Sequence, residues 1–325
     1  MAERRLVWMD AARGAAILLV LLDHATAMLV INGVPIPVEL AILADAMSPY
    51  RMPLLMYLSG LLLQRSLVKP WQQFAAGKLR NIGWPYVVWS VITLAATTGV
   101  STQALIQIPF VSPTFLWFLW FILAYYVIGW VCNRLGLDPL LVAVLALAAS
   151  VVLPDFARLS RFSFLLFFFM LGHAAITRSV RFDIPDRTRR LLLLGCLVSV
   201  VVCSALAVAG HGVRYSAAYV VGPLALVVLV QTLSGHYRRT RALGAFEYVG
   251  RNSLIFYVVH YAVEWLVVET ALYLGFSSGR GIFVAAFTIA LVAGVATSHS
   301  RHRWPPVDWL FAFPTRTPTA GSVRV

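Results

Sequence analysis

Arg13 and His24 lie eleven positions apart in the apolar string RGAAILLVLLDH, with Asp23 directly before the histidine. Ionisable groups are costly inside a bilayer, so such residues in an otherwise hydrophobic segment read first as a functional site. Eleven helical steps rise about 16 Å and complete about three turns, so Arg13 and His24 line one side of a helix and can meet two ends of one elongated ligand. A neutral imidazole accepts a proton near neutral pH, and a guanidinium is a permanently charged, donor-rich anchor for anions. Asp23 points about 100° away from His24 on an ideal helix and is poorly placed to orient the ring. Asp45 or Glu264 from elsewhere are the candidates for that task.

A second group stands in GRNSLIFYVVHYAVEW, where His260 and Glu264 are four apart and share a helix face. Glu264 is eleven steps from Ser253, again about 16 Å, which predicts that it lies level with His24. A proton relay and a buried structural pair both fit His260 with Glu264. In PYRMPLLMYLSGLLLQR, Arg51 fits either acceptor binding or oxyanion stabilisation, or a side chain that snorkels to the interface. Ser59 and Gly60 in the same string fit close helix packing better than nucleophilic chemistry, because no base stands at a suitable spacing. Asn252 is placed as an N-cap for the helix that begins at Ser253.

The elements that must position these residues are membrane helices. Of 325 residues 60% are hydrophobic and 12% charged, and the mean hydropathy is +0.82, far too apolar for a soluble domain of this length. The expected fold is all-α, a polytopic membrane protein with about ten spans, beginning near Gly14, Tyr50, Ile82, Phe115, Pro139, Phe162, Arg190, Ser216, Ser253 and Gly281. Loop charge supports that order: 21 of the 26 Lys and Arg residues fall on one side, leaving Arg51, Arg158, Arg161, Arg214 and Arg280 on the other. Basic loops mark the cytoplasm, which places both termini there. The division expected is a transmembrane domain over 1–304 and an irregular, proline-rich cytoplasmic tail over 305–325, with Pro305, Pro306, Pro314 and Pro318.

The net charge of +13 sits in short loops between apolar spans, so it reads as topology and contact with lipid headgroups rather than nucleic-acid binding. Cys132, Cys196 and Cys203 fall within spans without metal-ligand spacing. No metal and no bound cofactor is expected. The first segment lacks a small-residue cleavage site and is expected to remain as a helix. No internal repeat of the kind common in secondary transporters is visible.

Five strings together resemble the integral-membrane acyltransferase family 3. They are MDAARGAAILLVLLDH (Asp10, Arg13, Gly14, His24), YRMPLLMYLSGLL (Arg51, Pro53, Ser59, Gly60), FLWFLWFIL (Trp117, Phe118, Leu119), LLFFFMLG ending at Gly172, and YVGRNSLIFYVVH (Gly250, Asn252, Ser253, Tyr257, His260). The resemblance implies transfer of an acyl group, most often acetyl, from cytoplasmic acyl-CoA as co-substrate to a hydroxyl on a glycan, lipid or related acceptor. It implies that Arg13 and His24 are the essential pair. It also implies a basic pattern at the start of the third span, where GKLRNIGWP offers only Lys78 and Arg80 for CoA phosphates.

Acyl transfer to an alcohol needs a base for the hydroxyl proton and a donor or charge for the tetrahedral oxyanion. His24 is the expected base, and Arg13 the expected partner for CoA phosphates or pantetheine amides. Direct transfer and a covalent acyl-enzyme both stay open. A transporter or flippase for a lipid-linked sugar is the rival reading, and a membrane scaffold a third. Arginine outnumbers lysine 24 to 2, which points to a GC-rich bacterial genome and hence a bacterial cytoplasmic membrane.

Overall fold

A computed structural model describes residues 2–110, 112, 114–154, 156–178, 186–238, 240–301 and 303–314. Arg181, Arg239, Arg316, Pro318 and Arg324, together with the side chains of Arg4 and Arg5, lie outside the described residues. The described residues form helices and no strands. Helix α1 (Ala2–Ile31) is followed by α2 (Val38–Met47), α3 (Arg51–Gly60), α4 (Leu63–Leu67) and α5 (Trp71–Lys78). One π-helical turn, Leu79–Gly83, joins α5 to α6 (Trp84–Ala96). Then come α7 (Thr102–Gln107), α8 (Trp117–Arg134), α9 (Pro139–Val152), α10 (Leu159–Thr177), α11 (Asp186–Val208) and α12 (Val221–Leu233). The last helices described are α13 (Arg241–Arg251), α14 (Ser253–Tyr273), α15 (Gly279–Arg301) and α16 (Pro305–Trp309).

Among the described residues five helices are long and apolar enough to cross a membrane: α1 over Val7–Ile31, α10, α11, α14 and α15. The segment expected from Tyr50 is broken, because α3 ends at Gly60 and α4 starts at Leu63. The segment expected from Ile82 is entered through the π turn. Pro85 has no N–H to offer the carbonyl one turn earlier, and a widened turn absorbs that loss of register. Helix α9 is a short apolar helix whose start is fixed locally: Pro139 opens it and the Asp138 side chain accepts the Leu140 N–H at 2.8 Å.

Two pairs of glycines set the helix spacing around the site. At the α1–α13 crossing, a Cβ on Gly14 would overlap the Phe246 carbonyl oxygen, and one on Gly250 would overlap the Asp10 carbonyl oxygen. At the α3–α10 crossing, a Cβ on Gly60 would overlap the Phe169 carbonyl oxygen, and one on Gly172 that of Tyr57. Without side chains at these points the backbones touch, the mode of association that apolar surroundings favour. Helix α13 itself was not expected as a helix. It is capped by Thr240, whose Oγ1 accepts the Leu243 N–H at 3.2 Å, and it lays a mixed polar and apolar surface on α1.

The irregular tail expected from residue 305 instead begins with α16, which docks on α6. Trp84 Nε1 donates to the Trp309 carbonyl at 2.6 Å and Trp89 Nε1 to the Leu310 carbonyl at 3.1 Å, while Phe311 is buried. An Arg301–Asp308 ion pair at 2.6 Å ties α16 back to α15. Residues 315–325 lie outside the described residues.

Gly60→Ala should therefore force α3 and α10 apart and lower thermal stability in detergent by about 1–3 kcal/mol, the usual cost of overpacking. Gly77→Ala in α5, where nothing stands within 4 Å of the new Cβ, serves as the control. Gly60→Ala melting with the unsubstituted protein would contradict this packing.

Candidate functional site

The site is built where α1, α3 and α14 meet. Helices α1 and α14 run in the same sense, so Arg13 and Ser253 line one cavity while His24 and His260 meet deeper along both helices. Helix α3 runs the opposite way, which places Arg51 beside Asp23 and Ser59 beside the Arg13 cavity. His260 Nε2 lies 3.1 Å from His24 Nδ1. His260 Nδ1 is 3.0 Å from the Phe256 carbonyl, and His24 Nδ1 is also 3.0 Å from the Val20 carbonyl.

Hydrogen positions follow from what each partner can do. The Phe256 carbonyl only accepts, so His260 carries its proton on Nδ1 and presents a lone pair on Nε2. The Val20 carbonyl likewise only accepts, so His24 Nδ1–H donates to it and to His260 Nε2 together. This leaves His24 Nε2 unprotonated and without a partner among the described residues. The sequence made His24 a base; the geometry names the nitrogen.

The rest of the polar group is ionic. Asp23 Oδ2 contacts Arg51 at 2.5 Å and lies 4.0 Å from Arg214. Arg51 is buried, with 2% of its side chain exposed, whereas 44% of the Arg214 side chain is exposed. Asp23 thus does not orient His24, in line with its direction on the helix, but holds Arg51 next to it. The fields of Arg51 and Arg214 reach the His24 ring. Asp45 is exposed on α2 and acts on Arg214 rather than on His24. His260, not Glu264, is the α14 residue level with His24. Glu264 is fully buried one turn further on, and neither of its carboxyl oxygens has a hydrogen-bond partner among the described residues.

Arg13 opens onto a cavity of about 210 Å³ lined also by Ile17, Leu55, Ser59, Asn81, Ile82, Phe118, Tyr126, Ser253 and Tyr257. Arg13 is 3.6 Å from Asp10. Ser59 Oγ donates to the Leu55 carbonyl at 2.7 Å and so is satisfied within its own helix. Lys78 does not line the cavity but sits behind its wall, with Nζ 3.3 Å from the Tyr126 ring centroid and 3.0 Å from Ser66 Oγ. Arg80 is exposed and does not line it. Asn81, from the π turn, does, and nothing in the sequence singled it out.

Aromatic rings separate the cavity from the histidines. Tyr257 lines the cavity and its ring centroid is 6.0 Å from that of His260. Phe115 stands 5.8 Å from His24 and 5.2 Å from His260, and stacks on Tyr261 at 4.4 Å. The Tyr257 hydroxyl donates to the Phe115 carbonyl, fixing this wall. The sequence showed Tyr257 only as part of a family-like string, and its aromatic neighbours are hard to tell from the packing residues around them.

The acyltransferase domain of family 3 matches residues 6–299, nearly the whole chain. The chain belongs to acyltransferase family 3. It is a multi-pass membrane member of that family, and the five strings that suggested the resemblance all lie within the matched region. No curated protein and no solved structure matches it. All four glycines that form the two backbone contacts fall in those strings, as do Arg13, His24, Arg51 and His260.

Removing one partner of a buried ion pair leaves the other charge uncompensated, at a typical cost of about 3–5 kcal/mol for a fully buried pair. Asp23→Asn should therefore lower the melting temperature more than Arg51→Met, because Arg51 is almost fully enclosed while Asp23 keeps Arg214 and some solvent. The reverse order in detergent melts would show that Asp23 does not hold Arg51.

Proposed function

We propose that this protein is a membrane O-acyltransferase that takes an acyl group, acetyl being the best fit, from cytoplasmic acyl-CoA to a hydroxyl of a carbohydrate, glycolipid or related acceptor. The observation that carries the reading is the unpartnered Nε2 of His24, held by the His260 contact and set behind the Phe115 and Tyr257 rings from the cavity that Arg13 lines. Family membership supports an acyltransferase; the donor and the acceptor class come from the chemistry of the site and the resemblance of its strings.

In this reading the acceptor hydroxyl attacks the thioester carbonyl while His24 Nε2 takes its proton. The tetrahedral intermediate collapses to the ester, and the departing CoA thiolate receives that proton from His24. Protonation at Nε2 makes the Nδ1–H bond to His260 charge-assisted, and such bonds are about twice as strong as neutral ones. His260 is thus a positioning residue that also stabilises the transient imidazolium. Arg13 lies about 16 Å of helix from the base. It therefore holds the nucleotide or pantetheine part of CoA and does not touch the reacting atoms. Lys78 can add positive potential through the Tyr126 wall, and Asp23 with Arg51 lies on the acceptor side.

Ten spans with both termini in the cytoplasm, in a bacterial cytoplasmic membrane, complete the proposal. That orientation is supported by the basic loops and brings the Arg13 end of the cavity to the CoA-containing compartment.

Purified protein in lipid nanodiscs should consume acetyl-CoA with water in place of the acceptor hydroxyl, measured as free thiol released. His24→Ala should lower that rate by about 10²–10⁴, the range for loss of a general base. His260→Ala should cause a smaller loss. Undiminished thiol release by folded His24→Ala would overturn the assignment of the base. Movement of a lipid-linked sugar with no thiol release by the unsubstituted protein would favour a transporter.

A further inference from the structure

Asp23, Arg51 and Arg214 present two guanidiniums to a single carboxylate oxygen. Arg51 Nη1 is buried and has no hydrogen-bond partner among the described residues, in a side chain only 2% exposed. A buried cation whose donors are incompletely matched is costly, so such a group calls for a water, an ion or a ligand that completes the set. Asp45 lies beyond ion-pair distance from Arg214, and the other carboxylate in reach of Asp23, Glu264, contacts neither arginine. Among the described residues the group therefore sets two guanidiniums against one contacting carboxylate, beside the proposed base.

That charge is reachable. Arg214 lies between α11 and α12, has 44% of its side chain exposed and touches the Tyr215 hydroxyl at 3.4 Å. Arg161 from α10 lies over the same Tyr215 ring at 4.7 Å. Arg214 is the solvent-facing member of the group and Arg51 the enclosed one.

We infer that the acceptor carries an oxyanion, a carboxylate or a phosphate, on the acylated sugar or its neighbour, and that Arg214 and Arg51 Nη1 bind it. The inference rests on the O-acyltransferase reading for the word acceptor, but the anion site stands on its own geometry. Asp23 and His24 are consecutive residues of α1, so the carboxylate that holds both arginines stands next to the proposed base in the chain. Guanidinium pairs recognise carboxylate and phosphate by the same paired hydrogen bonds, so both sources share one chemistry.

The test is binding to the full-length protein in nanodiscs of uncharged lipid, by saturation-transfer NMR. The probes are methyl glucuronide for the carboxylate, glucose 1-phosphate for the phosphate, and methyl glucoside as the neutral counterpart. At least one anionic probe should bind more tightly than the glucoside. Arg214→Gln should weaken that binding about tenfold, the size of one charge-assisted hydrogen bond, and Arg214→Lys should retain most of it. Binding of only one anionic probe identifies the source. Equal binding of the glucoside, no binding of either anion, or anion binding unchanged in a folded Arg214→Gln protein would each overturn the inference. Acetyl-CoA binding, followed in the same preparation, tests the enzyme reading separately. Its absence alongside Arg214-dependent anion binding would sink that reading and leave the anion site standing.

Discussion

An acid and a base buried in an apolar helix bundle must find each other or leave, and the contact between Asp23 and Arg51 is where this protein meets that requirement. The ion pair fixes α3 against α1 at one register, because a slip of one residue would turn Asp23 about 100° away from its partner. Its neighbour His24 is fixed by the same register. The position of the proposed base is thus a consequence of electrostatics one residue away. His260 then supplies the second constraint from α14, its Nε2 accepting a hydrogen bond from His24 Nδ1–H and leaving His24 Nε2 open.

Close approach makes these contacts possible. Side chains of ordinary size at Gly14, Gly60, Gly172 and Gly250 would hold the backbones apart at the two crossings. Helix α1 would then lean away from α13, and α3 from α10. A shift of an ångström is enough to lengthen a 3.1 Å histidine contact beyond hydrogen-bond range. The glycines are structural, yet the chemistry proposed depends on them as directly as on the ionisable groups.

Much of this was legible in the sequence because membranes impose simple rules. Apolar length located most of the helices, and an ionisable residue in an apolar string marked the functional helix. The one-face relation of Arg13 and His24 follows from helical geometry alone. What stayed hidden depends on contacts between distant helices. His260 and His24 are 236 positions apart, and only packing shows that His260 rather than Glu264 is level with the base. Asp23 looked idle because its direction on α1 was known and its partner was not. Arg214 was visible as one of five arginines off the basic side, the one signal it shares with Arg51. Helix α13 was missed because its amphipathic pattern was read as a charged loop, and α16 because four prolines in the tail suggested irregular chain.

The central claim is that His24 keeps its proton on Nδ1, facing His260, and presents a bare Nε2 toward substrate. ¹⁵N NMR of histidine-labelled protein in nanodiscs at neutral pH measures this directly, with the two rings assigned by His24→Gln and His260→Gln. The account predicts an Nδ1–H tautomer at both rings, and a His24 signal that shifts when His260 is replaced. A His24 ring protonated on Nε2, or one indifferent to the loss of His260, would contradict it.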